Sequence, residues 1–461
     1  MNRKSFFKHL SLLGASFGIF ARAAEAAKAK IGIAPQEKFE SEKKIFKLGK
    51  HRIKVKIPEY LKAKLNDLAF NIFRDHMDLE RHKGLTPKID GDFFVFNVDL
   101  SKEGMYQINV FDYSQKNKKK KGRPIAKLNI YALEDDLYAL RPMKGDTHIH
   151  STNSDGRNPP IEVAMRCYEV GLDFQAISDH RCWKTSDDMM KQLGKYDTSM
   201  SFYHAEECHF AITHVHNLGG SQGITQYINA NKAMFDKRVA ELAKTLPKDM
   251  STNLKVEIAK TEVQFQIIRE FGGLAVLNHP YWLTGRGNFN MTGSSIDAIC
   301  ARKNFDAYEF VNYGCRDIST SLSNAKYTEL REQGIKYPVL GTTDAHNVKN
   351  QGMAYTILFA KSNKWADVKE AILDRRSLAV CDTLYVESRP KDRERMIYGE
   401  RRYINYAHFL VKEYFPAHDE LIIEEGKILQ EILDKGESDE RLAKLKSASA
   451  KTKAHWDSIK A

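Results

Sequence analysis

The sequence MKGDTHIH at residues 143–150 is followed by NPPIEVAMRCYEVG at 158–171 and by LDFQAISDH at 172–180. The first and third segments are apolar runs that end in polar residues, which is typical of buried strands. In the middle segment, Asn158 can cap a helix and Gly171 can end it. A strand, a helix and a second strand in this order predict a βαβ unit and therefore a parallel sheet.

Three later segments repeat the form of an apolar run with a polar end. They are FGGLAVLNH at 271–279, FDAYEFVNY at 305–313 and YPVLGTTDAH at 337–346. Closure of such units predicts an α/β fold built on a barrel of β/α units over residues 140–388. A mostly helical insertion is expected within it at about 223–270.

The regions on either side of the predicted barrel have different patterns. Residues 45–136 contain short alternating runs such as HRIKVKI at 51–57 and DFFVFNVDL at 92–100. This alternation, with turn-forming clusters between the runs, predicts a small β-rich N-terminal domain. Residues 389–461 are rich in charged residues and have helical apolar spacing, so we expect a helical C-terminal extension, part of which is a solvated tail.

The N-terminus has the pattern of an export signal. Arg3 and Lys4 precede an apolar stretch at 10–20, and the small residues ARAAEAA follow it. The pattern predicts a signal peptide over residues 1–29, similar to a twin-arginine signal with lysine in the second arginine position. An ordinary secretory signal, an uncleaved anchor or a buried helix are alternatives. No other stretch is long and apolar enough to span a membrane, so we expect a periplasmic or secreted protein without stable membrane insertion after signal removal.

The charge balance is basic, with 72 Lys and Arg against 60 Asp and Glu. Part of the excess lies in the run at 118–121, which is typical of a solvated hairpin tip. No basic stripe alternates with aromatic residues, so nucleic-acid binding is not expected, and an anionic substrate agrees better with the charge. Six cysteines without CxxC spacing indicate neither a disulfide framework nor a zinc ribbon. The sequence leaves the oligomeric state open.

Histidines and carboxylates recur where the predicted strands end. His148 and His150 lie two residues apart on one strand, so both side chains leave the same face and can reach one ion. Asp344 and His346 repeat this spacing. The other residues in such positions are Asp179, His180, Glu207, His214, His216 and His279. This placement is typical of a metal cluster at the C-terminal ends of barrel strands.

The ordered motifs DTHIHSTNSDG, ISDH, AEECH, HVHNLG, NHP and TDAH resemble those of the polymerase and histidinol phosphatase (PHP) superfamily of metal-dependent hydrolases. The resemblance covers roughly residues 142–385, and the joint order of the motifs is highly specific. The SDG after HxH and the preceding β domain resemble more closely the exported branch of carbaryl-hydrolase-like metallohydrolases. The resemblance implies a distorted TIM-like (β/α)7 barrel and two or three divalent ions of zinc, manganese or iron.

The resemblance also implies a ligand set for three ions. By ion, the implied ligands are His148, His150, Asp344 and a bridging Glu207; Glu207, His214 and His279; and Asp155, His180 and His346. The third site has an aspartate where some relatives have a histidine, which leaves its occupancy open. The HxLG spacing makes His216 an alternative to His214. Glu207, Asp344 and His346 are expected to act in catalysis as well as in metal binding.

The expected function is that of an exported phosphoesterase, which hydrolyses a phosphomonoester or phosphodiester by a metal-bound hydroxide. Arg181 and Arg286 lie in loops beside the motifs and are candidates for binding an anionic substrate group. Asp146 and Asp179 are expected to orient neighbouring histidines. Two alternatives stay open: a carboxylic ester, carbamate or amide hydrolase with the same metal cluster, and a metal-stabilised, non-catalytic binding module. The sequence does not name the substrate.

Overall fold

A computed structural model of the chain describes residues 38–74, 83–113, 123–284, 286–314, 317–382 and 395–461. The predicted signal peptide at 1–29 and the basic run at 118–121 lie outside the described residues. No helix within the described ranges combines the length and apolar character that a membrane crossing requires.

Strands and helices alternate through most of the described chain. The strands are β1 (Ile45–Lys47), β2 (Gly49–Lys56), β3 (Leu68–Arg74), β4 (Lys83–Leu85), β5 (Lys88–Asp90), β6 (Phe93–Leu100), β7 (Gly104–Asp112), β8 (Ala126–Leu133), β9 (Arg141–Ile149), β10 (Phe174–Ile177), β11 (Ser201–Phe202), β12 (Ala205–Cys208), β13 (Val215–Leu218), β14 (Leu274–Leu277), β15 (Ala307–Asn312), β16 (Val339–Thr342), β17 (Ala354–Ala360), β18 (Ser377–Asp382) and β19 (Arg395–Tyr398). The helices are α1 (Glu59–Lys62), α2 (Asp135–Tyr138), α3 (Pro160–Glu169), α4 (Lys184–Leu193), α5 (Ile224–Ala230), α6 (Lys232–Thr245), α7 (Thr252–Glu270), α8 (Gly293–Arg302), α9 (Asp317–Glu332), α10 (Trp365–Leu373), α11 (Arg401–Glu413), α12 (Phe415–Lys435) and α13 (Asp439–Ser458).

The described chain forms two compact units, and the first contains residues 38–42, 49–99 and 106–129. Within it β3 pairs antiparallel with β4 and β7, and β5 pairs antiparallel with β6. The ring centroid of Phe70 lies 5.0 Å from that of Phe94 and 5.4 Å from that of Phe96. These contacts bury the aromatic residues that gave β6 its alternating pattern, so the unit has an apolar core of its own.

The second unit contains residues 43–48, 100–105 and 130–461 and is built on two sheets. One sheet has the order β11-β10-β9-β17-β18-β19, and the other has the order β12-β13-β14-β15-β16. β9 pairs parallel with β10, as the βαβ pattern predicts, and β14, β15 and β16 are also parallel. The burial pattern of β14, β15 and β16 is continuous, because both faces of a parallel sheet are covered.

The structure does not show the predicted closed barrel. The two sheets are open, and isolated bridges link them at two places, Ile149 with Ala345 and His180 with Glu207. β13 runs antiparallel to both β12 and β14, which interrupts the repeating β/α connection of a TIM-like barrel. The fold is therefore a mixed α/β arrangement of two open sheets, and both bridges lie beside candidate site residues.

Helices cover the sheets of the second unit. The helices α5, α6 and α7 occupy most of residues 224–270, where the insertion is predicted. At the other end of the chain, α12 packs on α3, and a Cβ on Gly426 would lie 2.4 Å from Tyr168 Cβ. Glycine is therefore required for this close approach of the two helices.

Buried polar contacts also join the C-terminal helices to the sheets. Lys144 Nζ lies 2.6 Å from Asp419 Oδ1, and His418 Nε2 lies 2.7 Å from Asp173 Oδ1. The side chains of Lys144, Asp173 and His418 are each at most 4% exposed. The segment SASAKTKA at 447–454, where a solvated tail was expected, lies in α13, and its Ser449 and Thr452 are buried.

Candidate metal centre

The candidate ligands lie at strand ends and in the turns that follow them. His148 is in β9 and His150 follows it, while Glu207 is in β12 and Asp344 follows β16. The residues His148, His150 and Glu207 are at most 1% exposed. His148 and His150, which the sequence pattern places on one face, therefore meet a carboxylate from β12 and one from the turn after β16.

Glu207 and Asp344 lie between the two histidines of the HxH pair. Glu207 Oε2 lies 3.2 Å from His148 Nε2, 3.4 Å from His150 Nε2 and 2.9 Å from His180 Nδ1. Asp344 Oδ1 lies 3.4 Å from His148 Nε2 and 2.9 Å from His150 Nε2. One carboxylate oxygen from each acid and one nitrogen from each histidine therefore converge on one point.

The second oxygen of Glu207 faces a different pair of histidines. Glu207 Oε1 lies 2.9 Å from His279 Nε2 and 3.1 Å from His214 Nδ1, and Asn278 Nδ2 donates a hydrogen bond to it. His216 pairs with Glu207 in the β12 and β13 register, but among the described residues its ring forms no ion pair with a carboxylate, whereas that of His214 does. The geometry therefore favours His214 over His216 as the residue that shares an ion with Glu207.

A third, more open group surrounds Asp155. Asp155 Oδ2 lies 3.2 Å from His346 Nε2 and 3.4 Å from His180 Nε2, and Oδ1 lies 3.8 Å from His150 Nδ1. The Asp155 side chain is 55% exposed, whereas Glu207 is fully buried. His346 Nδ1 donates to Asp344 O over 2.9 Å, which leaves its Nε2 free to face Asp155.

Backbone geometry around the cluster is specialised at several positions. Asp344 and Arg181 have φ values of 51° and 56°, in the left-handed region that non-glycine residues rarely adopt. A Cβ on Gly156 would lie 2.5 Å from His150 O, so glycine allows the Asp155 turn to lie against the HxH strand. Residues held in such conformations cluster at functional sites.

The donor atoms fit divalent cations. The buried atoms without a hydrogen-bond partner among the described residues include His148 Nε2, His150 Nε2, His180 Nδ1, Glu207 Oε2 and Asp344 Oδ1. Leaving buried polar atoms unpaired costs free energy, and these five belong to the groups that lie within ligand distance of one another. Cations held by these overlapping groups would satisfy them. Mixed imidazole and carboxylate ligation suits zinc, manganese and iron.

The charges of the cluster compensate one another. Burial alone would lower the pKa of both histidines of the HxH pair, but Glu207 and Asp344 outweigh it. They hold the pKa of His148 well above its usual range and raise that of His150 to about 9. Burial would raise the pKa of both carboxylates, yet His148 holds both well below their usual range. A cation would displace protons from these histidines, because ligand histidines are neutral.

Two other histidines near the cluster, His214 and His216, have lowered pKa values. Burial lowers the pKa of His214 to about 4 and that of His216 to about 3. Near pH 7 His214 therefore offers a nitrogen lone pair to a metal without prior loss of a proton.

Glu309 is a site residue that the sequence analysis missed. It is in β15 and is 1% exposed. His148 Nδ1 donates to its Oε1 over 2.6 Å, and the backbone N–H of His279 donates to its Oε2 over 2.6 Å. Because Glu309 accepts from Nδ1, it leaves His148 Nε2 free to bind a metal. The sequence signal for this residue was a lone glutamate within the apolar run of β15.

Asp146 and Asp179 reach the neighbouring histidines indirectly, through a backbone N–H group and through the hydroxyl of Ser154. Asp146 accepts hydrogen bonds from the backbone N–H groups of His148 and Thr343, and it does not contact a histidine ring. Asp179 accepts from Ser151 N and from hydroxyl groups. Both aspartates hold the turns at the strand ends, because their oxygens meet backbone donors before they reach an imidazole.

His209 lies next to the cluster. Its ring stacks on that of His214 with centroids 3.9 Å apart, and its Nε2 lies 3.9 Å from Glu207 Oε2. His204, by contrast, stacks on Trp183 and contacts Asp187. His209 is thus a neighbour of the site, and His204 is outside it.

The two candidate arginines occupy different positions. Arg181 is exposed, and its backbone N–H donates to Glu207 O over 2.9 Å. Burial is the main cause that lowers the pKa of His209, and the charges of His180 and Arg181 lower it further. Arg286 is exposed in the segment after β14, and within the described ranges it forms no ion pair. The structure therefore brings Arg181 next to the cluster and shows no contact between Arg286 and it.

Comparison with known proteins gives partial similarity. No family model matches the sequence. The chain is 27% identical over 261 residues to the DNA polymerase/3′-5′ exonuclease PolX of Bacillus subtilis, a match that covers 54% of this chain and 42% of that protein. The chain thus spans less than half the length of this relative. The similarity agrees with the PHP resemblance and does not test the narrower resemblance to carbaryl-hydrolase-like enzymes.

Several solved structures are also similar. One is a two-domain protein from Bacteroides vulgatus containing a predicted PHP-like metal-dependent phosphoesterase, with 17% identity, a TM-score of 0.35 and coverage of 52% of this chain and 65% of that one. Another is a putative metal-dependent phosphoesterase from Bifidobacterium adolescentis, with 16% identity, a TM-score of 0.33 and coverage of 53% and 98%. Overlap of this degree is too low to support an inference about the fold or activity of this chain.

Proposed function

We propose that this chain is a metal-dependent phosphoesterase that hydrolyses a phosphomonoester or phosphodiester. The observation that carries the proposal is the convergence of five buried, unpartnered nitrogen and oxygen atoms around Glu207 and Asp344. Bound divalent cations polarise an ester and make water more acidic, which supplies the chemistry of hydrolysis. The remaining parts of the mechanism follow from how the residues hold these cations and the substrate.

The carboxylate of Glu207 is the central group of the proposed site. Its Oε2 faces His148 and His150, and its Oε1 faces His214 and His279. We therefore assign the bridging position between two ions to Glu207. Asp344 completes the set around the HxH pair, and its proximity to both histidines explains why it adopts a strained backbone conformation.

The third proposed ion would be held by Asp155, His180 and His346. This group is nearest to solvent, since Asp155 and His346 have side chains that are 55% and 39% exposed. Arg181 directly follows His180 and is exposed on the same turn. A guanidinium in this position suits an anionic phosphoryl group, because it binds oxygen anions in a bidentate manner.

We also propose that the protein acts in the periplasm or outside the cell. The support is the signal-like pattern at residues 1–29. The proposed substrate is a small or polymer-linked anionic ester, in agreement with the net charge of +12. Measuring the mature N-terminus and the compartment of the expressed protein would test this part of the proposal.

The decisive experiment is hydrolysis of matched phosphomonoester, phosphodiester and carboxylic ester panels by metal-quantified protein. We expect phosphoester turnover that falls at least about 100-fold in His148→Ala and Asp344→Asn, because both lose a direct ligand. His204→Ala is the matched control, since His204 contacts Trp183 and Asp187 outside the cluster. It should keep both metal content and turnover.

Other outcomes would select a rival function. Turnover of carboxylic esters, carbamates or amides without phosphoester turnover would assign the same cluster to that chemistry. Stoichiometric bound metal without turnover of any panel would favour a non-catalytic binding module. Absence of phosphoester turnover in metal-replete protein would refute the leading proposal.

A further inference from the structure

Trp282 lies directly against two of the proposed metal ligands. Its ring centroid lies 5.5 Å from that of His214 and 5.9 Å from that of His279. The residue is only half-buried, so these two contacts leave part of the indole exposed to solvent. An aromatic surface is therefore available beside the proposed second ion.

Hydrogen bonds fix the position of Trp282. Its backbone N–H donates to His279 O over 2.9 Å, and its carbonyl accepts from Asn290 N over 2.9 Å. Asn290 Nδ2 in turn donates to Ile212 O over 2.6 Å, which joins this segment to the one that leads to His214. The indole is thus held in place by the same two segments that supply His214 and His279.

An exposed apolar residue lies on the segment that leads to His214. Ile212 is 47% exposed, and its carbonyl accepts the hydrogen bond from Asn290. Phe289 is also exposed, but it pairs with Leu283 and its ring packs edge-to-face on Tyr281, so it lies on the other face of this hairpin from Trp282. Large apolar side chains exposed next to a polar cluster are characteristic of a ligand-binding surface.

We propose that Trp282 binds an aromatic group of the substrate as its stacking partner, with Ile212 at the edge of the same surface. This inference rests on the proposed function, because the scissile ester must lie at the metal cluster while its aromatic group reaches Trp282. The substrate class is therefore an aryl or heteroaryl phosphoester. Its anionic end faces the metal ligands and Arg181.

The indole favours an aromatic over an aliphatic group for a physical reason. Two aromatic rings interact through their quadrupoles as well as through buried area, and a saturated ring of equal size gains the area alone. Phenylphosphonate and cyclohexylphosphonate differ in this respect but share size and charge. Neither contains a scissile ester, so their binding can be measured without turnover.

The experiment is calorimetric titration of both phosphonates into metal-replete protein. We expect phenylphosphonate to bind about three- to ten-fold more tightly than cyclohexylphosphonate. Trp282→Leu should reduce this ratio to within about two-fold while metal content stays unchanged, and Trp282→Phe should retain most of the preference. Ile212→Ser should weaken both ligands. Leu373→Ser, at an exposed apolar residue elsewhere, is its matched control and should weaken neither.

Equal affinity of the wild type for the two phosphonates would overturn the inference, and so would a preference that survives Trp282→Leu. The phosphoesterase function and the aromatic site are tested by different outcomes. A phenyl preference without hydrolysis of any phosphoester would keep the aromatic site and reject the phosphoesterase. Hydrolysis of phosphoesters without a phenyl preference would do the reverse.

Discussion

Replacing Glu309 by glutamine tests how the protein holds the metal ligands in the correct form. In the native site Oε1 accepts from His148 Nδ1 and Thr342 Oγ1, and Oε2 accepts from His279 N. A glutamine amide has one acceptor oxygen and one donor nitrogen. Whichever way it is oriented, its NH2 group faces a donor of the native site.

Each orientation of the introduced amide weakens metal binding. If the amide nitrogen faces His148, the imidazole must move its proton to Nε2, the atom that faces Glu207 and Asp344. If it faces His279, a buried backbone N–H loses its acceptor, at a cost of about 1–3 kcal/mol. Loss of such an outer carboxylate typically lowers metal affinity about 10–100-fold, equivalent to about 1.4–2.7 kcal/mol.

The assay is competition with a chromophoric chelator at fixed pH, with metal content measured in parallel. Glu425→Gln is the matched control, because Glu425 is also fully buried and accepts a backbone hydrogen bond, from Ser199 N over 2.6 Å, away from the cluster. We expect both variants to lose stability and Glu309→Gln alone to lose metal affinity. Metal affinity of Glu309→Gln within about two-fold of wild type would refute the reasoning.

Three further predictions concern protons, stoichiometry and the C-terminal helices. The pKa of His150 in the metal-free protein is raised to about 9, so its contribution to stability is complete below about pH 6.5 and is lost as the pH rises to about 9; denaturant titrations of metal-free protein should show this loss, and His150→Gln should show a smaller one, because His148, whose pKa is also raised, remains. Asp155→Ala should remove the third ion and leave two, and an unchanged metal content by elemental analysis would contradict the assignment. Lys144→Met leaves the partly buried Asp419 without its partner and should lower the free energy of unfolding by about 1–3 kcal/mol. Metal content should stay constant in Lys144→Met, and a change in stability below about 1 kcal/mol would show that the ion pair is dispensable.

Local patterns predicted much of the site. His148 and His150 converge because alternate residues of a strand share a face, and that rule needs no knowledge of the rest of the fold. The parallel pairing of β9 and β10 likewise followed from the βαβ pattern. Asn158, however, does not cap α3: Pro159 occupies the N-cap, and Asn158 Oδ1 accepts from Val348 N. A tertiary partner 190 residues away overrode the local preference.

The features that escaped prediction depend on contacts across the chain. In the sequence, Glu309 is a single charged residue within an apolar strand. Its role appears only in the folded chain, where His148, 161 residues away, forms a hydrogen bond with it. The antiparallel direction of β13 depends on how the turns around it close, which its four residues do not encode. Closure of a barrel similarly requires the relative tilt of all strands, which periodicity does not contain.

The buried pairs beneath the sheets set an order of events during synthesis. Lys144 and Asp173 leave the ribosome long before Asp419 and His418, their partners in α12. Until translation reaches α12, the nascent chain contains charges that can be neither buried nor neutralised by these partners. All residues of the proposed metal cluster are therefore made before the unit that holds them can complete its core. Metal that binds before α12 is made would therefore bind to a cluster whose supporting core is still incomplete.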